Sequence, residues 1–263
     1  MKNLSFAGLL IFLSISNSSC QSWKKFNLYS IDDDKKLGLS VSKEIAANPA
    51  QYPLLPEQGN EEVYKFVRAL KDDILNSGRV KNKNVFAWEV KIIKDDKTLN
   101  AFCTPGGYIY VYTGLIKYLD NEDELAGVMG HEIAHADMRH STRQLTKIMP
   151  LAVIGEVLSA GNKNKQAIKD LTTSLIALSF SRDSEREADK YSVFYLCNSG
   201  HNAAGSAGFF KKIKGKGSPP VFMSTHPDPG NRVKDIEELA KKLNCSTYSE
   251  NSTANYQKIK SLL

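Results

Sequence analysis

Leu125-Ala126-Gly127-Val128-Met129-Gly130-His131-Glu132-Ile133-Ala134-His135 is the stretch on which the rest of the chain turns. Residues four apart on a helix share a face, so the imidazoles of His131 and His135 can reach one ion. Glu132 lies one residue along and sits beside that ion without ligating it. Two histidine ligands and a carboxylate general base are the pattern of a zinc hydrolase. The competing account is two solvated histidines on a surface helix. It is disfavoured by the flanks: Leu125, Ala126, Val128, Met129, Ile133 and Ala134 are apolar and small. Such a helix is buried, and buried histidines need partners.

A third ligand has to come from elsewhere. A nearby third histidine of the extended zinc motif would need glycine at position 138 and histidine at position 141, where Met138 and Ser141 stand. His140 falls on a different face of a continuous helix and reads as a solvated or capping residue. The better source is Ser181-Arg182-Asp183-Ser184-Glu185-Arg186-Glu187-Ala188-Asp189. Glu185 and Asp189 share a helix face. One carboxylate can bind the metal while the other holds a ligating histidine through its second ring nitrogen. By spacing alone, a charged, solvated helix start fits this run about as well.

Outward from the motif, periodicity assigns the remaining elements. Ile31 to Ala47 and Asn60 to Asn76 carry apolar residues at helical spacing. Phe86, Trp88, Val90 and Ile92 alternate with Ala87, Glu89 and Lys91, which predicts a strand. Thr98 to Cys103 and Tyr108 to Thr113 read as two further strands around Pro105-Gly106-Gly107, giving a small antiparallel sheet. Asn121, with Glu124 three residues on, is an N-cap for a helix running to about Lys147. Pro150 to Ala160 are apolar but too short to span a bilayer. Helices follow over Gln166–Phe180, Arg182–Asn198, Ala203–Lys214 and Asn231–Leu243. Gly215–Gly230 reads as loop, and residues 246–263 read as a polar tail. The predicted class is α+β, mostly α-helical, with the small sheet beside the His131–His135 helix.

The N-terminus has a different character. Lys2, the mostly apolar Leu4–Ile15 and the small polar Ser16–Ser19 form the three regions of an export signal over residues 1–19. Cys20 follows directly, as in bacterial lipoprotein signals, although Asn17 stands where these usually carry an aliphatic residue. Cys20 is therefore expected to carry lipid and tether the chain to a membrane, with residues 20–30 as leader; simple secretion with an ordinary thiol is the alternative. Export permits a disulfide among Cys103, Cys197 and Cys245. Cys197 and Cys245, both near predicted helix ends, are the candidate pair, set against three unpaired thiols.

With 263 residues, 41% hydrophobic and 24% charged, the chain can bury a core and is neither disordered nor a small disulfide scaffold. Lys+Arg 35 against Asp+Glu 29 gives +6, spread along the chain and without any nucleic-acid-reading signature, so nucleic acid is not an expected partner.

H-E-I-A-H followed some fifty residues later by S-R-x-x-E-x-E-A-D resembles family forty-eight of the metallopeptidases, which includes the HtpX-type, CAAX prenyl and OMA-type enzymes. Asn100-Ala101-Phe102 with Pro105-Gly106-Gly107-Tyr108 resembles the family's strand pair, and Thr225-His226-Pro227 with Arg232 its H-P…R element. The resemblance runs from about Ile31 to Leu243 and implies a zincin-like metallopeptidase domain over 31–245. It implies His131, His135 and Glu185 as ligands of one zinc ion and Glu132 as general base. It further implies Asp189 as a supporting carboxylate, His226 as an oxyanion donor with Arg232 near it, and Asn100, Ala101 and Phe102 as an edge strand aligning substrate. Family members with this set cleave polypeptides. The chain looks most like an exported, lipoprotein-type bacterial branch, so unfolded or loosely folded envelope proteins are the expected substrates and the periplasmic face of the outer membrane the expected location. A non-catalytic envelope lipoprotein acting as chaperone or assembly factor is the rival, but it has no use for Glu132.

Overall fold

Ser30 opens the first helix with a reciprocal cap: its hydroxyl accepts from Asp33 N at 3.1 Å, and its own N–H donates to the Asp33 carboxylate at 2.8 Å. The structure is a computed structural model and describes residues 26–149, 155, 165–214, 220–228, 230–249 and 252–263. Helix α1 spans Ile31–Ala47 and α2 Glu61–Asn76, where the periodicity places them. Residues 1–19, read as an export signal, and Cys20 lie outside the described residues, as does nearly all of Pro150–Ala160.

Three strands follow, β1 (Glu89–Ile93), β2 (Ala101–Thr104) and β3 (Tyr108–Tyr112), in the order β1-β3-β2. The expectation of a purely antiparallel sheet is corrected here. β2 and β3 are antiparallel around the Pro105-Gly106-Gly107 turn, but β1 runs parallel to β3 on its far side. The physical reason is the connection after β1. The Asp95 side chain accepts from Lys97 N and Thr98 N, so Asp95–Thr98 forms a capped loop rather than a hairpin turn. That loop crosses the end of β3, where Gly114 N donates to Asp95 O at 3.0 Å. A Cβ at Gly114 would meet Thr98 O at 2.6 Å, so the crossing needs glycine there.

The sheet divides two apolar layers. Alternation sends Ile109, Val111, Ala101 and Cys103 to one layer and Tyr108, Tyr110 and Phe102 to the other, which α1 and α6 (Lys165–Ile176) cover. The first layer is built on α4, Glu122–Asp137, which is capped by Asn121 and preceded by the short α3, Thr113–Tyr118. Against α4 pack α7 (Arg182–Leu196) and α8 (Gly205–Lys214). Contact is close enough that a Cβ on Gly127 would come within 2.0 Å of Ser206 N. Gly127→Ala is therefore expected to destabilise the fold by about 1–3 kcal/mol, read from denaturant midpoints at unchanged slope. An unchanged midpoint would show that α8 can move away freely.

The helix expected to run to Lys147 instead breaks. Arg139 adopts the left-handed conformation (φ 59°, ψ 37°) and separates α4 from α5, His140–Ile148. That conformation costs a non-glycine residue about 1–2 kcal/mol. The Arg139 guanidinium is held by Asp34 and donates to the carbonyls of Tyr29 at 2.6 Å and Ser30 at 2.9 Å, so the start of α1 fixes the break.

Beyond α8, the segment read as loop contains a short helix α9, Val221–Thr225, and α10 spans Arg232–Lys242. A disulfide joins Cys197 to Cys245, and Cys103 is a buried thiol. The segment read as a polar tail folds back as α11, Ser252–Ser261. Its Tyr256 is buried and donates to Ile116 O at 2.7 Å, an anchor that one aromatic in a polar run does not announce. Among the described residues no helix is long and apolar enough to cross a membrane.

Candidate metal centre

α4 and α7 lie against each other, and this brings the two halves of the predicted ligand set together. His131 Nε2 and His135 Nε2 are 3.0 Å apart. Glu185 Oε2 lies 3.4 Å from His131 Nε2, and Glu185 Oε1 lies 3.3 Å from His135 Nε2. The spacing on α4 and the N-capped start of α7 at Ser181 set which residues face each other once the helices pack, because Glu185 sits one turn into α7.

His226 joins them. α9 ends at Thr225, and His226 N donates to Phe222 O at 2.8 Å while the ring stacks on Phe222 with centroids 4.2 Å apart. Its Nδ1 stands 3.3 Å from His131 Nε2 and 3.2 Å from Glu185 Oε1, and its Nε2 is 3.5 Å from Glu132 Oε1. One ligand atom each from His131, His135, Glu185 and His226 falls within 4.8 Å of the others. The structure thus brings a His226 ring nitrogen into the same group as the predicted ligand atoms.

The donor set fits a divalent ion. All four side chains are at most 1% exposed, so water does not compensate for their facing lone pairs. Two imidazole nitrogens and one carboxylate are the ligands of catalytic zinc sites. The electrostatics also favour a cation. Burial opposes charge on His131, but Asp189 and Glu185 outweigh it and raise the imidazole to about 9. Burial would raise the Glu185 carboxyl, yet His226, His131 and His135 hold it well below the usual carboxylate range.

Each ligating ring is supported from behind. His131 Nδ1 faces Asp189 Oδ1 at 2.9 Å. Arg232 clamps that carboxylate, with Nε to Oδ2 at 3.1 Å and Nη2 to Oδ1 at 2.7 Å, and reaches Glu185 Oε2 at 3.2 Å. The guanidinium also lies over the Phe210 ring at 3.6 Å. Two of its nitrogens are therefore engaged by the carboxylates of α7. His135 Nδ1 meets His140 Nδ1 at 2.9 Å. The reading of His140 as solvated or capping is corrected: it is 1% exposed, because the break at Arg139 swings it back beneath His135. Glu187 then accepts from His140 Nε2 at 3.1 Å and from Arg143 Nη1 at 3.0 Å. Neither contact is visible in a helical projection that runs straight through position 139.

Glu132 is 1% exposed, and burial pushes its carboxyl up, toward the range of a working base. Cys103 on β2 presents its backbone N–H to it. β2 is the outer strand of the sheet and runs beside α4, so Ala101, Phe102 and their neighbour Asn100 lie along the site. Asn100 O accepts from Tyr112 N at 3.1 Å, and Leu99 O accepts from Phe222 N at 3.3 Å, which ties the strand end to the helix that delivers His226. Phe102 points away, stacked on Tyr110 at 4.7 Å.

The profile of peptidase family M48 matches residues 62–240. The chain belongs to that family. Among relatives of this M48 chain, the mitochondrial metalloendopeptidase OMA1 of Schizosaccharomyces pombe is 28% identical over 236 residues, covering 88% of this chain and 68% of the relative. The putative beta-barrel assembly-enhancing protease of Vibrio cholerae is 30% identical, covering 56% of this chain and 33% of the relative. The beta-barrel assembly-enhancing protease of Escherichia coli K12 is 30% identical, covering 58% and 34%. The chain spans about a third of the length of these two bacterial relatives.

Proposed function

We propose that this chain is a zinc-dependent endopeptidase that cleaves unfolded or loosely folded polypeptides in the cell envelope. The convergence of His131, His135 and Glu185 beside the buried Glu132 carries the reading. A zinc ion held by those three supplies Lewis acidity, which polarises a carbonyl and lowers the pKa of water from about 15.7 to about 7. Glu132 takes the proton of the attacking water and hands it to the leaving amine. His226 Nδ1 lies 3.3 Å from His131 Nε2 and 3.2 Å from Glu185 Oε1, beside the place where the metal would be held. From there it can serve as a donor for the tetrahedral oxyanion, a contact commonly worth about 2.7–4 kcal/mol. Asp189 and Arg232 keep the ligand set in place from behind.

The resemblance of Asn100–Phe102 to the family's substrate-aligning strand supports the substrate class, although Ala101–Thr104 is buried here. Main-chain pairing along a strand edge demands an extended segment and reads little of its sequence, which suits unfolded chains. The names of the bacterial and mitochondrial relatives fit a protease of envelope or organelle quality control. The reading of residues 1–19 as an export signal followed directly by Cys20 supports a lipid-anchored protein at the periplasmic face of the outer membrane.

Casein digestion by the purified chain is expected to stop when a chelator removes the metal and to return when zinc is added back. Digestion that continues undiminished in excess chelator would remove the metal from the mechanism.

A further inference from the structure

The geometry points to His140 as the positioning residue that fixes which nitrogen of His135 faces the metal, through a buried His135–His140–Glu187 relay. The inference rests on the metal reading above and concerns how its second ligand is held.

Two imidazole nitrogens 2.9 Å apart share a single proton, since two would collide and none would leave two lone pairs facing each other. The far end of the relay decides where that proton sits. Glu187 accepts from Arg143 Nη1 at 3.0 Å and faces His140 Nε2 at 3.1 Å. A carboxylate there requires the His140 proton on Nε2, which leaves His140 Nδ1 as an acceptor. His135 Nδ1 is then the donor, and the His135 Nε2 lone pair is left for an ion held between it, His131 Nε2 and Glu185. Packing holds the plane of the ring, because Phe180 stacks on His135 with centroids 4.1 Å apart. His131 reaches the same state by a different route, through Asp189 directly. The two ligands therefore have independent supports, and the relay exists only because α4 breaks at Arg139.

Zinc affinity by chelator competition tests this, with nitrogen-15 NMR of the His135 ring in the zinc-loaded protein. His140→Leu keeps bulk but removes both nitrogens, and is expected to bind zinc about 10–100-fold more weakly. His140→Asn, whose amide oxygen can accept from His135 Nδ1, is expected to recover most of that loss. The parent's His135 is expected to be protonated at Nδ1. Parent-like affinity in His140→Leu, equal weakness in His140→Asn, or a His135 proton on Nε2 overturns the relay. If His140→Leu does not fold, Glu187→Ala removes the far end of the relay from a partly exposed position, with a loss in the same direction expected and unchanged affinity overturning it. A parent chain that takes up no zinc overturns the metal reading and the relay together; failure of the variants alone leaves the metal reading standing.

Discussion

Glu132→Gln is expected to lower kcat/KM for peptide cleavage by about 10²–10⁴-fold while the zinc content stays at that of the parent. The carboxylate is buried, faces His226 Nε2 at 3.5 Å, and is not among His131, His135, Glu185 and His226, the residues grouped to hold an ion. Glutamine keeps the size and an acceptor for the Cys103 backbone N–H, but it cannot take a proton from water. Because the change removes a buried ionisable group without opening a cavity, the thermal midpoint is not expected to fall. Kinetics, metal analysis and calorimetry on one preparation separate chemistry from binding and folding. Full turnover in Glu132→Gln would strip this residue of the base role.

Glu185→Ala is expected to purify with well below one zinc per chain, a larger loss than the roughly 10–100-fold that removal of a supporting residue causes. Glu185 supplies the only carboxylate in the ligand group, and its two oxygens divide between His131 and His135. Its removal also strands part of the Arg232 charge, which then has Asp189 alone on α7; breaking a buried pair commonly costs about 3–5 kcal/mol. Glu185→Gln is the companion variant: it keeps the volume, so zinc loss without unfolding isolates the ligand role. Equimolar zinc in both variants would hand the third place to His226, whose Nδ1 already stands 3.3 Å from His131 Nε2.

Much of the centre was legible because its information is local. The four-residue spacing of His131 and His135 defines a face on any helix, and Glu185 and Asp189 repeat that logic on α7. What pairs with what across the fold was less legible. The antiparallel reading of the sheet failed at Asp95–Thr98, where side-chain capping turned an apparent hairpin into a crossing over Gly114. His140 was misplaced for a comparable reason. Position 139 carries arginine, a residue that normally continues a helix, and only its capture by Asp34 and the carbonyls of Tyr29 and Ser30 makes the left-handed turn stable. These partners lie more than a hundred residues away, so no window of sequence around 139 contains the cause. His226 was named by resemblance, but the seat of its Nδ1 beside the predicted ligand atoms depends on how α9 docks against Leu99.

The order of residues therefore pointed to the candidate ligands His131 and His135, the candidate base and the helices that bear them, because periodicity and side-chain chemistry act within a few residues, while Glu185 needed the family resemblance. The tertiary structure decided the parallel strand, the break at Arg139, the support behind His135 and the seat of His226. Each of these rests on one distant group filling a bond that the local chain leaves open, and that is a property of packing, which has no period to read.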